Sequence, residues 1–219
     1  MKNKYEYFLF DLDGTLTDSS EGIINCAVYA LTELGRKAPE REALRPFLGP
    51  PLSWSFRNLC GLEEDEAEEA VRIYRRRYST IGLFENRPYD GIPELLGALK
   101  KDGLRLAVAT SKPEVFSVRI LEKFGLMEYF DAVVGCGLDG SLDTKAEVVA
   151  EALRRLGVQD KSRAVMVGDR KYDVAGAAEA GLRTIGAGWG YAEAGELEEA
   201  GALWIAKEPE ELLRTLMTE

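Results

Sequence analysis

The amino-acid sequence predicts an α/β fold: a doubly wound parallel sheet with a helical domain inserted after its first strand. Short apolar runs alternate with helical stretches from Gly91 to the end of the chain, a pattern typical of βαβ units. A separate apolar run, Phe8–Phe10, precedes a long segment with a helical pattern. We therefore predict a core domain formed by residues 1–18 and 85–219, and a helical domain formed by residues 19–84.

The inserted segment carries the signals of several helices. Ser19 can cap the first of them. The last has acidic residues in its first half and basic residues in its second, an order that suits the helix dipole. Its arginines 75–77 are expected on a solvated face, paired at helical spacings with Glu66, Glu68 and Glu69. The predicted helices span residues 20–35, 39–47, 52–60 and 63–80.

The core domain is predicted from the alternation that follows. Each short apolar run reads as a strand, and each longer amphipathic stretch reads as a helix. The predicted strands span residues 8–10, 104–109, 131–134, 164–167, 183–186 and 203–205. The predicted helices span residues 92–102, 113–124, 144–156, 172–180 and 192–200, with a last helix from Pro209. Strands linked through helices imply right-handed crossovers within one parallel sheet.

The charge balance limits the partners that this protein can have. Asp and Glu number 38 against 28 Lys and Arg, a formal net charge of −10. An acidic surface repels nucleic acid and anionic membranes, so we expect neither as a partner. The first apolar run is too short for a signal-peptide core, and the cysteines (Cys26, Cys60 and Cys136) are odd in number and widely spaced. We therefore expect reduced thiols and a cytoplasmic location.

The sequence contains no histidine, and this excludes several kinds of chemistry. Ser-His-Asp hydrolysis, phosphatases with a histidine nucleophile and zinc hydrolases with histidine ligands all require that residue. Proton transfer must then use carboxylates, lysine, tyrosine or water. A metal at the site must be one that prefers oxygen ligands, such as Mg²⁺.

Four polar clusters follow predicted strands or open predicted helices. Because the carboxyl ends of parallel strands meet at one edge of a sheet, the clusters at strand ends are expected to converge there. Two acids one residue apart also repel each other unless a cation lies between them. The candidate site residues are Asp11 and Asp13, Thr110 and Ser111, Lys145, and Asp169 with Asp173.

The acidic residues suggest phosphoryl transfer with a metal ion. Asp11 is the candidate nucleophile, because carboxylates form acyl-phosphate intermediates. Asp169 is the natural second ligand of a magnesium ion. Asp13 is then left for proton transfer to the leaving oxygen and later from the attacking water. Asp173, one helical turn after Asp169, can hold the waters of the metal or Lys145.

The remaining candidates suit an anionic substrate. Thr110 can donate hydrogen bonds to phosphoryl oxygens from the start of the next helix, where free amides favour anions. Lys145 places a positive charge among carboxylates and phosphate, which stabilises charge in the transition state. These residue types and their order along the chain favour phosphoryl transfer over four unrelated helix caps.

The order D-x-D-G-T…T…K…G-D-x-x-x-D resembles the four motifs of the haloacid dehalogenase superfamily. The strings Phe10–Ser19 and Ala109–Pro113 are similar to those of phosphoglycolate phosphatase-like members, which carry a helical C1 cap. The resemblance implies a nucleophilic Asp11 and an acid/base Asp13 whose main-chain carbonyl also contacts magnesium. It further implies phosphate binding by Thr110, Ser111 and Lys145, and a metal ligand at Asp169 supported by Asp173. Many relatives carry asparagine at the place of Ser111.

The resemblance predicts a magnesium-dependent phosphatase that hydrolyses a small phosphomonoester through an aspartyl-phosphate. A 5'-nucleotidase or a pyrophosphatase on the same core is the alternative. Asp13 argues against a dehalogenase, and the absence of histidine argues against a phosphosugar mutase. A non-catalytic phosphate-binding protein remains a further alternative. The expected partner is a small phosphorylated metabolite, and the expected assembly is a monomer or a homodimer. The identity of the substrate is not readable from the sequence.

Overall fold

A computed structural model describes residues 4–218 of the chain. The chain divides into two compact units: one contains the chain up to Asp18 together with Pro88 onward, and the other is Ser19–Arg87. The first unit contains a six-stranded parallel sheet with helices packed against it, and the second is helical. The predicted fold class, a parallel α/β sheet with helices inserted after the first strand, is confirmed.

The strands of residues 4–218 form two sheets. In chain order they are β1 (Tyr7–Phe10), β2 (Thr17–Asp18), β3 (Arg87–Pro88), β4 (Arg105–Pro113), β5 (Ala132–Cys136), β6 (Ala164–Gly168), β7 (Arg183–Ala187) and β8 (Ile205–Ala206). The large sheet has the order β5-β4-β1-β6-β7-β8, and β2 pairs with β3 in a separate two-stranded sheet. The first strand is therefore central, between β4 and β6.

The α-helices connect and cover these strands. They are α1 (Ser20–Glu33), α2 (Leu52–Cys60), α3 (Glu64–Tyr78), α4 (Ile92–Lys101), α5 (Glu114–Lys123), α6 (Lys145–Leu156), α7 (Lys171–Glu179), α8 (Glu196–Ala200) and α9 (Pro209–Thr218). Short 3₁₀ helices span Arg41–Phe47, Gly82–Phe84, Met127–Tyr129 and Lys161–Arg163. Within residues 4–218, no helix is both long enough and apolar enough to cross a membrane.

The register aligns the carboxyl ends of the three central strands. Phe10, the last residue of β1, lies opposite Val108 of β4 and Val167 of β6. Phe8, Leu9 and Phe10 are fully buried, as expected for a central parallel strand covered on both faces. The residues that directly follow β1 and β6 are therefore brought to the same place at the edge of the sheet.

The two faces of β1 pack against different side chains. Leu9 belongs to a buried cluster with Met166 of β6 and with apolar residues of α6 and α7. Phe8 and Phe10 point to the opposite face, because side chains alternate along a strand. The Phe10 ring meets the Phe130 ring edge to face at a centroid distance of 6.4 Å. This packing fixes the strand that precedes Asp11.

The β4–α5 connection differs from the prediction. β4 continues through Pro113, with a register shift between Thr110 and Pro113 against β5, and α5 begins only at Glu114. The expectation that Thr110 lies at a helix start is therefore wrong. Thr110 and Pro113 still pair with β5, on either side of the register shift, although the apolar run of the strand ends at Ala109.

The helical unit contains a row of aromatic contacts. Phe47, Phe56, Tyr74 and Tyr78 meet in succession at centroid distances of 5.1, 6.5 and 5.5 Å. These rings come from the first 3₁₀ helix, α2 and α3, and join the three elements in one core. Aromatic pairs of this kind contribute about 0.5–1.5 kcal/mol each beyond the area that they bury.

The predicted ion pairs of α3 are wrong. Arg77 is largely buried and donates two hydrogen bonds to Glu85, at 2.7 and 2.8 Å, and Glu66 pairs with Arg36. Arg76 pairs with Glu33 at 3.5 Å. Arg76 and Arg77 therefore bind acids from other segments of the unit, which helical spacing within α3 does not reveal. Ser19 stands at the cap position of α1, but its side chain makes no capping hydrogen bond.

Candidate active site

Asp11 lies one residue beyond β1, at the carboxyl edge of the sheet. Its backbone N–H donates to the Val167 carbonyl at 2.9 Å, which extends the pairing with β6 by one residue. The residue is 9% exposed. Gly14 then turns the chain with a φ of +83°, a conformation that residues with a side chain adopt only at a cost. Asp11 is thus fixed in place by the sheet before the chain turns away.

Asp169 lies directly after β6 and is fully buried. Its carboxylate accepts hydrogen bonds from the Thr15 hydroxyl at 2.9 Å and from the Tyr191 backbone N–H at 2.8 Å. Burial, together with the negative charges of Asp173 and Asp11, raises the pKa of Asp169 well above its ordinary value. The site therefore favours a positive charge beside this carboxylate.

Lys145 is the first residue of α6. The helix start is fixed by a capping box, in which Thr144 and Glu147 satisfy each other's backbone N–H groups. The Lys145 ammonium lies 2.7 Å from Asp11 Oδ1 and 2.7 Å from Asp173 Oδ1, and its side chain is 8% exposed. Burial alone would lower the pKa of Lys145, but the two carboxylates outweigh it and raise that pKa. The lysine therefore stays charged between the two acids.

Asp173 lies in the first turn of α7, where its Oδ2 accepts the Arg170 backbone N–H at 2.9 Å. Burial raises the pKa of Asp173, and the charge of Asp11 adds to this effect while Lys145 opposes it. Asp173 thus joins α7 to Lys145 of α6. The structure brings Asp11, Asp169, Lys145 and Asp173 together at one edge of the sheet.

The three carboxylates suit a magnesium ion. Asp11, Asp169 and Asp173 each offer one oxygen, and these oxygens lie within 4.8 Å of one another. Lys145 contacts two of these three buried or nearly buried acids, Asp11 and Asp173, so the cluster has more negative charge than this one lysine balances. Carboxylate oxygens are the ligands that Mg²⁺ prefers, and it uses few of them because it keeps waters. The donor set therefore fits this cation.

The carboxylate of Asp13 lies outside that cluster. Its Oδ2 pairs with the Lys112 ammonium at 2.5 Å. Its Oδ1 is buried and has no hydrogen-bond partner among residues 4–218. The Asp13 side chain is therefore placed differently from the three clustered acids, as a separate role requires.

Thr110 and Ser111 have different surroundings although they are neighbours. Thr110 is 2% exposed and lies in β4, beside β1, where its hydroxyl oxygen accepts the Lys112 backbone N–H at 3.3 Å. Ser111 is exposed. Their predicted contacts with phosphate stay predictions.

Several residues around the acids were missed by the sequence reasoning. Thr15 donates to Asp169, Lys112 pairs with Asp13, and the Trp189 indole N–H donates to the Thr15 carbonyl at 2.9 Å. Tyr191 binds Asp169 through its backbone, and its hydroxyl donates to Asp18 at 3.2 Å. Thr15 and Lys112 lie within the motif segments Phe10–Ser19 and Ala109–Pro113, and this position could have identified them. Trp189 and Tyr191 lie in a loop without a pattern that predicts their contacts.

The arrangement combines the groups that phosphoryl transfer to a carboxylate needs. Asp11 is a fixed carboxylate at the sheet edge, and the Lys145 ammonium contacts it. A second acid two residues away has an oxygen that the described residues leave unbonded. An acidic cluster that fits a divalent cation completes the set.

Comparison with known proteins agrees with this geometry. The sequence profile of haloacid dehalogenase-like hydrolases matches residues 8–187. A 5'-nucleotidase of Pseudomonas aeruginosa is 44% identical over 194 residues, which cover 89% of this chain and 87% of that protein. A phosphoglycolate phosphatase of Aquifex aeolicus is 34% identical over 183 residues, 84% of each chain.

Two further similarities concern a kinase and a solved structure. The tyrosine-protein kinase PtkA of Mycobacterium tuberculosis is 46% identical over 186 residues, which cover 85% of this chain but only 63% of that protein. The crystal structure of a predicted phosphatase from Clostridium acetobutylicum superposes with a TM-score of 0.90 at 45% identity, covering 98% of this chain and 99% of that one. On the profile match, these similarities and the shared fold, the chain belongs to the haloacid dehalogenase-like hydrolase family.

Proposed function

We propose that this chain is a magnesium-dependent phosphatase that hydrolyses a small phosphomonoester through an aspartyl-phosphate formed on Asp11. One observation carries the proposal: the Lys145 ammonium bridges Asp11 and Asp173 at the edge of the sheet, beside Asp169. This observation supports a nucleophilic role for Asp11, because its carboxylate lies next to a fixed positive charge and to an acidic cluster that fits a cation. Asp13, two residues away, supplies the group for proton transfer.

The first step forms the intermediate. The Asp11 carboxylate attacks phosphorus while the bond from phosphorus to the leaving oxygen breaks, and protonated Asp13 gives its proton to that oxygen. Lys145 offsets the negative charge that gathers around the phosphoryl group. Asp11, Asp169 and Asp173, with the main-chain carbonyl of Asp13, would hold a magnesium ion, which would supply further positive charge against the repulsion between carboxylate and phosphate.

The second step releases phosphate. The Asp13 carboxylate left by the first step takes a proton from water, and the resulting hydroxide attacks phosphorus. The bond between phosphorus and the Asp11 oxygen breaks, which regenerates the Asp11 carboxylate. Atoms and charges then return to the starting state, with alcohol and phosphate as products.

The substrate we propose is a small phosphorylated metabolite of the phosphoglycolate type. The motif strings around Asp11 and Thr110 and the 34% identity to a phosphoglycolate phosphatase support this class. A nucleoside 5'-monophosphate is the second candidate, because the 5'-nucleotidase relative is 44% identical over 89% of the chain. We place the reaction in the cytoplasm, since the three cysteines are free thiols.

Steady-state kinetics on a panel of phosphorylated metabolites test the proposal. Phosphate release should be seen with at least one small phosphomonoester, should stop on chelation of divalent cations and should return with Mg²⁺. Asp11→Asn should abolish turnover, because an amide does not form the acyl-phosphate. Asp139→Asn is the matched control, because Asp139 is an exposed loop residue whose side chain bonds only Ser141 among residues 4–218.

The outcomes separate the candidates. A higher kcat/KM for phosphoglycolate than for nucleoside monophosphates supports the first substrate class, and the reverse order supports the nucleotidase. Near-wild-type turnover by Asp11→Asn would refute the nucleophile. After an acid quench, wild-type protein should retain ³²P that hydroxylamine or alkali removes, because an acyl-phosphate reacts with both. Asp11→Ala should retain none.

A further inference from the structure

The β4 strand contains an irregularity beside the candidate active site. Its pairing with β5 shifts between Thr110 and Pro113, so that Ser111 and Lys112 lie in a bulge. The Thr110 hydroxyl accepts the Lys112 backbone N–H at 3.3 Å, which closes a local turn. Bulges of this kind re-aim a side chain at the edge of a sheet.

Gly135 of β5 allows the bulge to approach closely. A Cβ at Gly135 would lie 2.3 Å from the Lys112 carbonyl oxygen and 2.5 Å from the Glu114 backbone nitrogen. Such distances are far shorter than non-bonded atoms tolerate, so only glycine fits beside this backbone. The bulge is therefore held by two features, the Thr110 side chain and the bare backbone of β5.

The bulge directs Lys112 to Asp13. Their ion pair, at 2.5 Å, joins a lysine side chain that is 7% exposed to a carboxylate that is 22% exposed. Only Asp13 Oδ2 takes part, while Oδ1 is buried without a hydrogen-bond partner among the residues 4–218. One oxygen is thus fixed by an ammonium group, and the other has its place set by that ion pair and by no hydrogen bond of its own among the described residues.

We propose that Lys112 is a positioning residue that holds Asp13 in the orientation needed for proton transfer. This inference rests on the proposed phosphatase function and adds to it. Without the ammonium, the Asp13 carboxylate can rotate, and its Oδ1 no longer has a fixed position relative to the leaving oxygen. Proton transfer depends steeply on such geometry. In this role Lys112 acts through Asp13, so its loss should matter most where protonation of the leaving group matters.

The test compares two substrates that differ in this requirement. The alkoxide that leaves glycerol phosphate must be protonated, whereas p-nitrophenolate leaves p-nitrophenyl phosphate without a proton. Lys112→Met should lower kcat/KM about 10- to 100-fold on glycerol phosphate and less than about 3-fold on p-nitrophenyl phosphate. Lys112→Arg keeps the charge and should restore most of the loss. Lys112→Gln gives the same comparison if Lys112→Met does not fold.

A double-mutant cycle separates positioning from a direct contact with the substrate. In the Asp13→Asn background, Lys112→Met should change the glycerol phosphate rate less than about 2-fold, because the group that it positions is already lost. Lys161→Met is the matched control: Lys161 donates to the Ala180 carbonyl at 2.9 Å, before the amino end of β6, and its loss should leave both rates unchanged.

Two results would overturn the inference. Equal losses on both substrates, or a Lys112→Met effect that persists in full beside Asp13→Asn, would assign Lys112 to substrate binding or to the fold. Failure of the proposed function is a different result: wild-type protein would then hydrolyse neither substrate with Mg²⁺ present. The inference is therefore judged only in a protein whose wild-type turnover has been measured.

Discussion

Replacement of Lys145 by methionine should destabilise the protein strongly when no divalent cation is present. Lys145 is the one cation bonded to both Asp11 and Asp173 among the described residues, at 2.7 Å in each case, and its side chain is almost fully buried. Removal of one partner from a buried ion pair typically costs about 3–5 kcal/mol. For a chain of this size each kcal/mol shifts Tm by about 2–4 °C, so a decrease of about 6–20 °C is expected.

The pH dependence of this loss follows from the acids that remain. Burial already raises the pKa of Asp173 and Asp169, and loss of the lysine removes the charge that opposes this rise at Asp173. An acid whose pKa is higher in the folded state destabilises the fold once the pH exceeds its unfolded pKa. The difference in free energy of unfolding between wild type and Lys145→Met should therefore grow as the pH rises. It should shrink as the pH falls toward the range where these carboxylates are protonated.

Urea unfolding in EDTA, followed by circular dichroism at several pH values, measures both the loss of stability in Lys145→Met and its dependence on pH. Lys100→Met is the matched control: Lys100 pairs with Asp131 at 3.0 Å, but its side chain is 30% exposed, so its loss should cost less than about 1 kcal/mol. A Lys145→Met protein within about 1 kcal/mol of wild type at pH 7, or one whose deficit increases in acid, would refute the electrostatic account of this site.

Three further changes test other contacts. Thr15→Val removes the hydroxyl that binds Asp169, and calorimetry should give a Kd for Mg²⁺ that is raised about 10- to 100-fold; unchanged binding would contradict that role. Gly14→Ala should lower kcat/KM about 100-fold, since a Cβ there would lie 2.2 Å from Asp169 Oδ2; wild-type kinetics would show that the turn tolerates it. Glu85→Gln should lower the free energy of unfolding at pH 7 by about 1–3 kcal/mol. Hydrogen bonds from Arg77 lower the pKa of Glu85 in the folded protein. The stability that Glu85 contributes is therefore complete above its ordinary pKa of 4.5 and is lost as the pH falls through its pKa in the folded state. If Glu85→Gln were as much less stable than wild type at pH 3 as at pH 7, this explanation would be wrong.

The convergence of the acidic residues was predictable from the sequence. Asp11 and Asp169 each follow an apolar run, and the carboxyl ends of parallel strands share one edge of a sheet. That rule needs only the strand positions and not the register. The sequence predicted Lys145 at the start of a helix, because it follows Thr144. Its approach to Asp11 depends on the packing of α6 beside β4 and β5, which the sequence does not give.

The contacts that were missed depend on irregular backbone. The bulge at Ser111 and Lys112 lies in a polar stretch beyond the apolar run that ends at Ala109, where no apolar pattern indicates a strand. The approach of Lys112 to Asp13 was therefore not predictable. The Tyr191 backbone N–H donates to Asp169 from a loop. Because every residue except proline has a backbone N–H, the residue type does not indicate such a bond. Arg77 pairs with Glu85 across a turn of the helical unit, beyond the spacing rules for a single helix.

The central position of β1 has a consequence for synthesis on the ribosome. Tyr7 is made before both of its neighbours in the sheet, Arg105 and Ala164. A nascent chain carries the nucleophile strand long before either flanking strand has emerged, and pairings so distant in sequence form slowly. Truncated translation products that end before β6 therefore contain Asp11 and Asp13 but lack a folded pocket around them. Such products expose the apolar residues of β1 to cellular chaperones.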